Sequence, residues 1–99
     1  MRVRALVTDL MDRSRISAAI PGVEFGPVAD APADVVIVDL ARSADRVAEI
    51  RAAMPHARIV GFGPHVDDAT AQAARDAGAD LVLPRSRFFH DPAAAIATP

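Results

Sequence analysis

Four charged residues of this chain could meet at one place and do chemistry. Asp39 closes the run Ala33-Asp34-Val35-Val36-Ile37-Val38-Asp39. A carboxylate at the downstream end of a buried parallel strand stands at the carboxyl edge of its sheet, where open α/β folds place their sites. There it can attack a phosphoryl group, provided a divalent cation such as Mg2+ neutralises the incoming oxygens. Such an ion needs further hard oxygen ligands, and Asp9 and Asp12, following the apolar run Val3 to Val7, are the candidates. Arg85, beyond the apolar run Asp80 to Leu83, is the candidate contact for a phosphate or for Asp39 itself. A standing Arg85–Asp39 pair would hold the site in one state without phosphate. The structural alternative is that Asp39 caps the following turn and Asp9 accepts backbone N–H groups in its own loop.

Other constellations carry less. Gly61-Phe62-Gly63-Pro64-His65 reads as a tight turn between a strand and a helix, so Gly61, Gly63 and His65 are candidates for receiving a small anionic ligand on backbone N–H groups. The third glycine of a dinucleotide fingerprint is absent, and close packing explains Gly61 equally well. His56, His65 and His90 lack metal-ligand spacing, and Ser14, Ser17, Ser43 and Ser86 have no His-Asp relation that would support a hydrolase triad. Phe88 and Phe89 are adjacent aromatics that cannot share one inward direction on a regular helix. One is expected to cover the sheet and the other to lie at an interface.

The elements that must position these residues follow from punctuation and period. Val3 to Val7 reads as a first strand, then a helix capped by Asp12 and running through Ile20, stopped by Pro21-Gly22. Val23 to Phe25 is an edge strand. The link from Gly26 to Pro32 holds Gly-Pro and Ala-Pro steps and is too short for the usual crossover helix, so a covering helix is expected to be missing or very short. The central strand runs to Asp39. A helix from Ser43 to Met54, a strand from Ala57 to Phe62 and a helix from Val66 to Ala77 follow, the last with Val66, Ala69, Ala73 and Ala77 inward and Gly78 as its C-terminal cap. A strand from Asp80 to Leu83, a turn over Pro84 to Arg87 and a final helix interrupted at His90-Asp91-Pro92 complete the order βαββαβαβα. That order fits a doubly wound, five-stranded parallel sheet over a single domain, residues 1–99.

Composition narrows the function. The chain has 99 residues, 52% of them hydrophobic, with four Phe and no Tyr or Trp, so one tight aliphatic core is expected. All eleven basic residues are Arg, and thirteen acids bring the formal charge to -2, a weak basis for nucleic-acid binding. The absence of cysteine excludes disulfides, thiolate metal sites and thiol catalysis. No apolar stretch approaches the roughly 20 residues that cross a bilayer, and Arg2, Arg4 and Asp9 interrupt the start. A cytoplasmic domain without membrane contact is the expectation.

With that order in place, the chain resembles the receiver domain of the response-regulator family, the flavodoxin-like module phosphorylated on aspartate in two-component signalling. The resemblance rests on Asp34 to Leu40 and on Ala73 to Arg85, Ala-Ala-Arg-Asp-Ala-Gly-Ala-Asp-Leu-Val-Leu-Pro-Arg. It implies strand order 2-1-3-4-5, Asp39 at the phospho-acceptor position and Asp9 in the metal-binding acidic pair. It also sets out departures. The second acid of the pair falls on Leu10, or the first on Thr8; the hydroxyl position after strand four falls on Gly63; the lysine position falls on Arg85; and the aromatic switch position falls on Val82. An atypical receiver is implied, a signalling or protein-interaction module without the phosphotransfer machinery, not an enzyme. It would bind a protein partner or itself, as a dimer, through the last helix. The alternatives are a working Mg2+-dependent phospho-acceptor and a small-ligand domain.

Overall fold

All five residues of β3 (Val35–Asp39) are buried. A strand covered on both faces has no use for polar alternation, which is why this stretch is an apolar run closed by an acid. The computed structural model describes residues 1–26, 32–64 and 67–97. Among them β3 is the centre of a five-stranded parallel sheet with β1 (Val3–Leu6), β2 (Glu24–Phe25), β4 (Arg58–Gly63) and β5 (Leu81–Pro84), in the order β2-β1-β3-β4-β5. The doubly wound order expected from the sequence is therefore the one found. β3 pairs with β1 from Val3↔Val35 to Leu6↔Val38, and with β4 from Val35↔Arg58 to Asp39↔Phe62.

Strand side chains alternate between faces, and the two faces build two cores. On one, Val36, Val38, Ile59 and Val82 meet α2 (Leu40–Ser43), α3 (Val47–Ala53) and α4 (Asp68–Ala77) through Leu40, Val47, Ile50, Ala71 and Ala74. On the other, Ala5, Val7, Ile37, Val60 and Phe62 meet α1 (Leu10–Ala19), α5 (Arg85–His90) and α6 (Pro92–Ala97) through Ile16, Phe88 and Ile96. Each fully buried Val, Ile or Phe contributes roughly 1.5–3 kcal/mol relative to exposure, so aliphatic packing carries most of the stability.

The amino edge of the sheet is fastened by a repeated device. Asp34, just before β3, accepts the Arg2 N–H at 2.6 Å, and Asp80, just before β5, accepts the Ile59 N–H at 2.8 Å. Each carboxylate satisfies a donor at the start of the neighbouring strand and so helps to hold register.

Several boundaries differ from those expected. Asp9, not Asp12, caps α1, accepting the Asp12 N–H at 2.9 Å. The helix after β3 begins at Leu40 under an Asp39 cap; Ser43 makes no capping bond and sits before a 3-10 turn, Ala44–Arg46, that leads into α3. On α4 the buried residues are Ala71 and Ala74, whereas Ala69 and Ala73 are exposed. Gln72, Arg75 and Asp76 mark the wet side of this helix, which sets Ala71 and Ala74 inward, whereas Ala69 and Ala73 lie on its flank. The residues expected as a turn from Pro84 to Arg87 instead close β5 and open α5. The break at Asp91 is real: its Oδ1 accepts the Ala94 N–H at 3.1 Å, and Pro92 opens α6, where a missing N–H costs nothing. The link from β2 to β3 shows no helix among its described residues; positions 27–31, on which the expectation of a missing covering helix falls, lie outside them.

Candidate functional site

The carboxyl edge of the sheet brings the four charged candidates together. β1 delivers Asp9, the first turn of α1 delivers Asp12, β3 ends on Asp39, and β5 leads into Arg85, the first residue of α5. Asp39 is 3% exposed. Its Oδ1 accepts the Ala41 N–H at 3.0 Å, and Arg42 Nε stands 3.9 Å from its Oδ2. Arg42 is a cation not among the four candidates named from the sequence. Its signal was the spacing of three from a carboxylate that starts a helix.

Arg85 does not pair with Asp39, as the sequence suggested, but with Asp12. Nη1 donates to Oδ2 at 2.9 Å and Nη2 to Oδ1 at 2.7 Å, a two-point pair on a carboxylate that is 4% exposed. The reason is in the layering. α1 and α5 cover the same face of the sheet, so Asp12 meets the start of α5, while Asp39 turns onto the N–H of its own helix. Because Asp9 takes over the cap of α1, the Asp12 side chain is left for this role. The hydrogen bonding of the Arg85 guanidinium to Asp12 is the chief reason it is held above its ordinary pKa. Partial burial opposes that rise, and the charges of Asp12, Asp39 and Asp9 add to it.

Arg85 also lies over two aromatic faces, 5.6 Å from the Phe62 centroid and 5.0 Å from that of Phe89. Phe62 stacks on Phe88 at 4.8 Å and meets Phe89 edge-on at 5.2 Å. Both adjacent aromatics of α5 therefore touch the same ring, which the expectation of opposite directions did not allow. Phe62, projecting from the sheet, is broad enough to be met by Phe88 on its face and Phe89 on its edge. Phe88 is fully buried and Phe89 partly so. A planar guanidinium that pairs at two points and stacks on rings uses properties an ammonium lacks, so arginine at this position is not a neutral exchange for lysine.

A Mg2+ ion here would rest on one or two carboxylates and on water. Among the described residues no three Asp, Glu or His side chains stand close enough to hold one metal ion. Asp9 is engaged by the Asp12 N–H, Asp12 by Arg85 and Asp39 by the Ala41 N–H. Leu10, beside Asp9, is 78% exposed and offers no ligand.

The glycine turn is also recast. Gly61 and Gly63 lie inside β4, both buried, and not in a turn beyond it. A Cβ at Gly61 would stand 2.9 Å from Leu40 Cδ1, so the missing side chain is the space Leu40 fills. At Gly61 the backbone is committed to the sheet and its open side to Leu40. His65 lies outside the described residues.

A five-stranded parallel sheet in this order, with helices on both faces, is a flavodoxin-like doubly wound α/β fold. The chain has that fold. It matches a response regulator protein from Burkholderia pseudomallei, solved with a phosphorylated aspartic acid, a calcium ion and citrate, at TM-score 0.82 and 18% identity, over 97% of this chain and 66% of that one. A response regulator from Thermotoga maritima matches at TM-score 0.75 and 15% identity, over 98% of each chain. A two-component response regulator of the LuxR family from Aurantimonas sp. SI85-9A1 matches at 0.77 and 22%, over 97% of this chain and 81% of that one. At these identities the likeness is one of fold. No family model and no curated protein matches the sequence. Among the described residues no helix is long and apolar enough to cross a membrane.

Proposed function

We propose that the chain is an atypical receiver-like signalling module, acting in the cytoplasm as a single domain that binds a protein partner, or a second copy of itself, without phosphorylation of Asp39. The observation that carries this reading is the two-point Arg85–Asp12 pair. A carboxylate that accepts a phosphoryl group brings negative charge onto negative charge, so nearby cations must be free to meet the incoming oxygens. Here the cation after β5 faces Asp12 and not Asp39. Leu10 supplies no oxygen beside Asp9, and Gly63 supplies no hydroxyl at the end of β4. The partner-facing surface is assigned to the last helical segments, α5 and α6, where Phe89 remains partly exposed while Phe88 is committed to the core.

Intact mass after incubation with excess small-molecule phosphodonor and Mg2+, repeated on Asp39→Asn, tests the reading. No mass gain is expected in either protein. A gain of one phosphoryl group in the wild type, absent from the variant, would overturn it. The competing reading, a Mg2+-dependent phospho-acceptor with Asp39 as nucleophile, is favoured by one observation: Asp9, Asp12 and Asp39 lie close enough to Arg85 for all three charges to raise its pKa.

A further inference from the structure

Beside the Arg85–Asp12 pair, an open cleft of about 420 Å³ is lined by Arg15, Arg85, Ser86, Phe89 and His90. Its wall offers two guanidinium groups, a hydroxyl and an imidazole around one aromatic ring, and no carboxylate. The Arg15 guanidinium carbon lies 4.6 Å from the Phe89 centroid and that of Arg85 lies 5.0 Å from it. Both cations therefore stand within about 10 Å of each other, roughly one Debye length at moderate salt, where like charges still repel. Only one of them is neutralised. Asp12 takes Nη1 and Nη2 of Arg85, leaving three of the five guanidinium donors unassigned. Arg15 is exposed, sits over Phe89 and has no hydrogen-bond or carboxylate partner among the described residues.

A cleft with an unneutralised cation and no carboxylate among its described lining residues is matched by an anion, and two guanidinium forks favour a divalent oxyanion, since arginine meets phosphate oxygens at two points. We infer that this cleft binds a phosphate group between Arg15 and Arg85, with Ser86 and His90 as further donors, and that its occupation competes with Asp12 for Arg85. The phosphate is either the free ion or the head of a phosphomonoester, the cleft being larger than the ion alone needs. Binding would then be read at the carboxyl edge of the sheet through Asp12. The binding step holds whether or not Asp39 is an acceptor; only its signalling consequence rests on the function proposed above.

The test is titration of 15N-labelled protein with inorganic phosphate at constant ionic strength, without phosphodonor or Mg2+, following the Nε–Hε resonances of Arg15 and Arg85. Both are expected to shift saturably. Arg15→Gln, at an exposed position where folding is not at stake, is expected to weaken binding about tenfold, and Asp12→Asn, which releases Arg85, to strengthen it severalfold. Because the titration contains neither phosphodonor nor Mg2+, its outcome is independent of the phosphorylation assay. Shifts that never saturate, or unchanged affinity in Arg15→Gln, would overturn the site. Unchanged affinity in a folded Asp12→Asn would overturn the competition. A parallel titration with phenyl phosphate distinguishes the sources: tighter binding than inorganic phosphate supports an organic ester, weaker binding supports the free ion.

Discussion

Arg85 and Asp12, 73 residues apart in the chain, are joined by two hydrogen bonds of 2.9 and 2.7 Å. The pair ties the first residue of α5 to the first turn of α1 across the end of the sheet. Its two members sit differently: the Asp12 side chain is 5% exposed and that of Arg85 is 36% exposed.

That asymmetry makes the two truncations unequal. Arg85→Ala leaves a carboxylate buried without its cation and is expected to cost about 3 kcal/mol. Asp12→Ala leaves a guanidinium that can turn to water and is expected to cost about 1.5 kcal/mol. The double variant should lose less than the two single losses combined, because the strain of the unpaired charge disappears. Urea denaturation of the four proteins in the cycle checks this, and strict additivity would remove the pair from the account of stability.

A second arginine is a structural hub. Arg51 donates to the carbonyls of Gly78, Met54, Pro55 and Ala57 and to Asp80 Oδ2, at 2.6 to 3.3 Å, joining the end of α3 to the starts of β4 and β5. Lysine has three donors and no fork, so Arg51→Lys must leave acceptors unmet and is expected to lower stability by about 2 kcal/mol. Gly78 is bound to the same hub. Its φ is +124°, and an added Cβ would stand 2.7 Å from Arg51 Cβ. Gly78→Ala should therefore cost at least about 1–3 kcal/mol from backbone strain, with steric displacement of Arg51 in addition. For each variant the urea midpoint should fall with an unchanged slope.

Acid should weaken α4 through its cap. The Asp67 carboxylate accepts the Thr70 N–H at 2.7 Å. That backbone bond chiefly, with the Thr70 side chain second, holds its carboxyl below the ordinary value of 3.8. The folded state thus takes up the proton less readily than the unfolded chain. Its contribution is complete above the unfolded pKa and is lost as the pH falls through the folded one. Asn caps a helix well but does not titrate, so wild type and Asp67→Asn should converge in stability as the pH falls below about 3.8, with the wild type ahead near neutrality. A gap that widens in acid would contradict the linkage.

The sequence by itself determined the sheet. The unbroken apolar run before Asp39 could only be a strand covered on both faces, and short links between parallel strands left few ways to arrange the rest. It also placed Asp9, Asp39 and Arg85 at one edge, because each follows directly from a strand end. What it could not determine was which of them meet. Asp9 and Asp12 are both cap-type residues three apart, and local preference does not say which one caps α1; packing against the sheet chose Asp9 and released Asp12. The phase of α4 was legible, since Gln72, Arg75 and Asp76 mark its wet side, but alanines on the flank let Ala69 and Ala73 pass for inward positions. The Arg85–Asp12 pair, the two aromatics sharing Phe62 and the space at Gly61 filled by Leu40 depend on which helices cover which face of the sheet. These are contacts between residues distant in the chain, and only the tertiary structure brings them within the few ångströms over which hydrogen bonds and packing act.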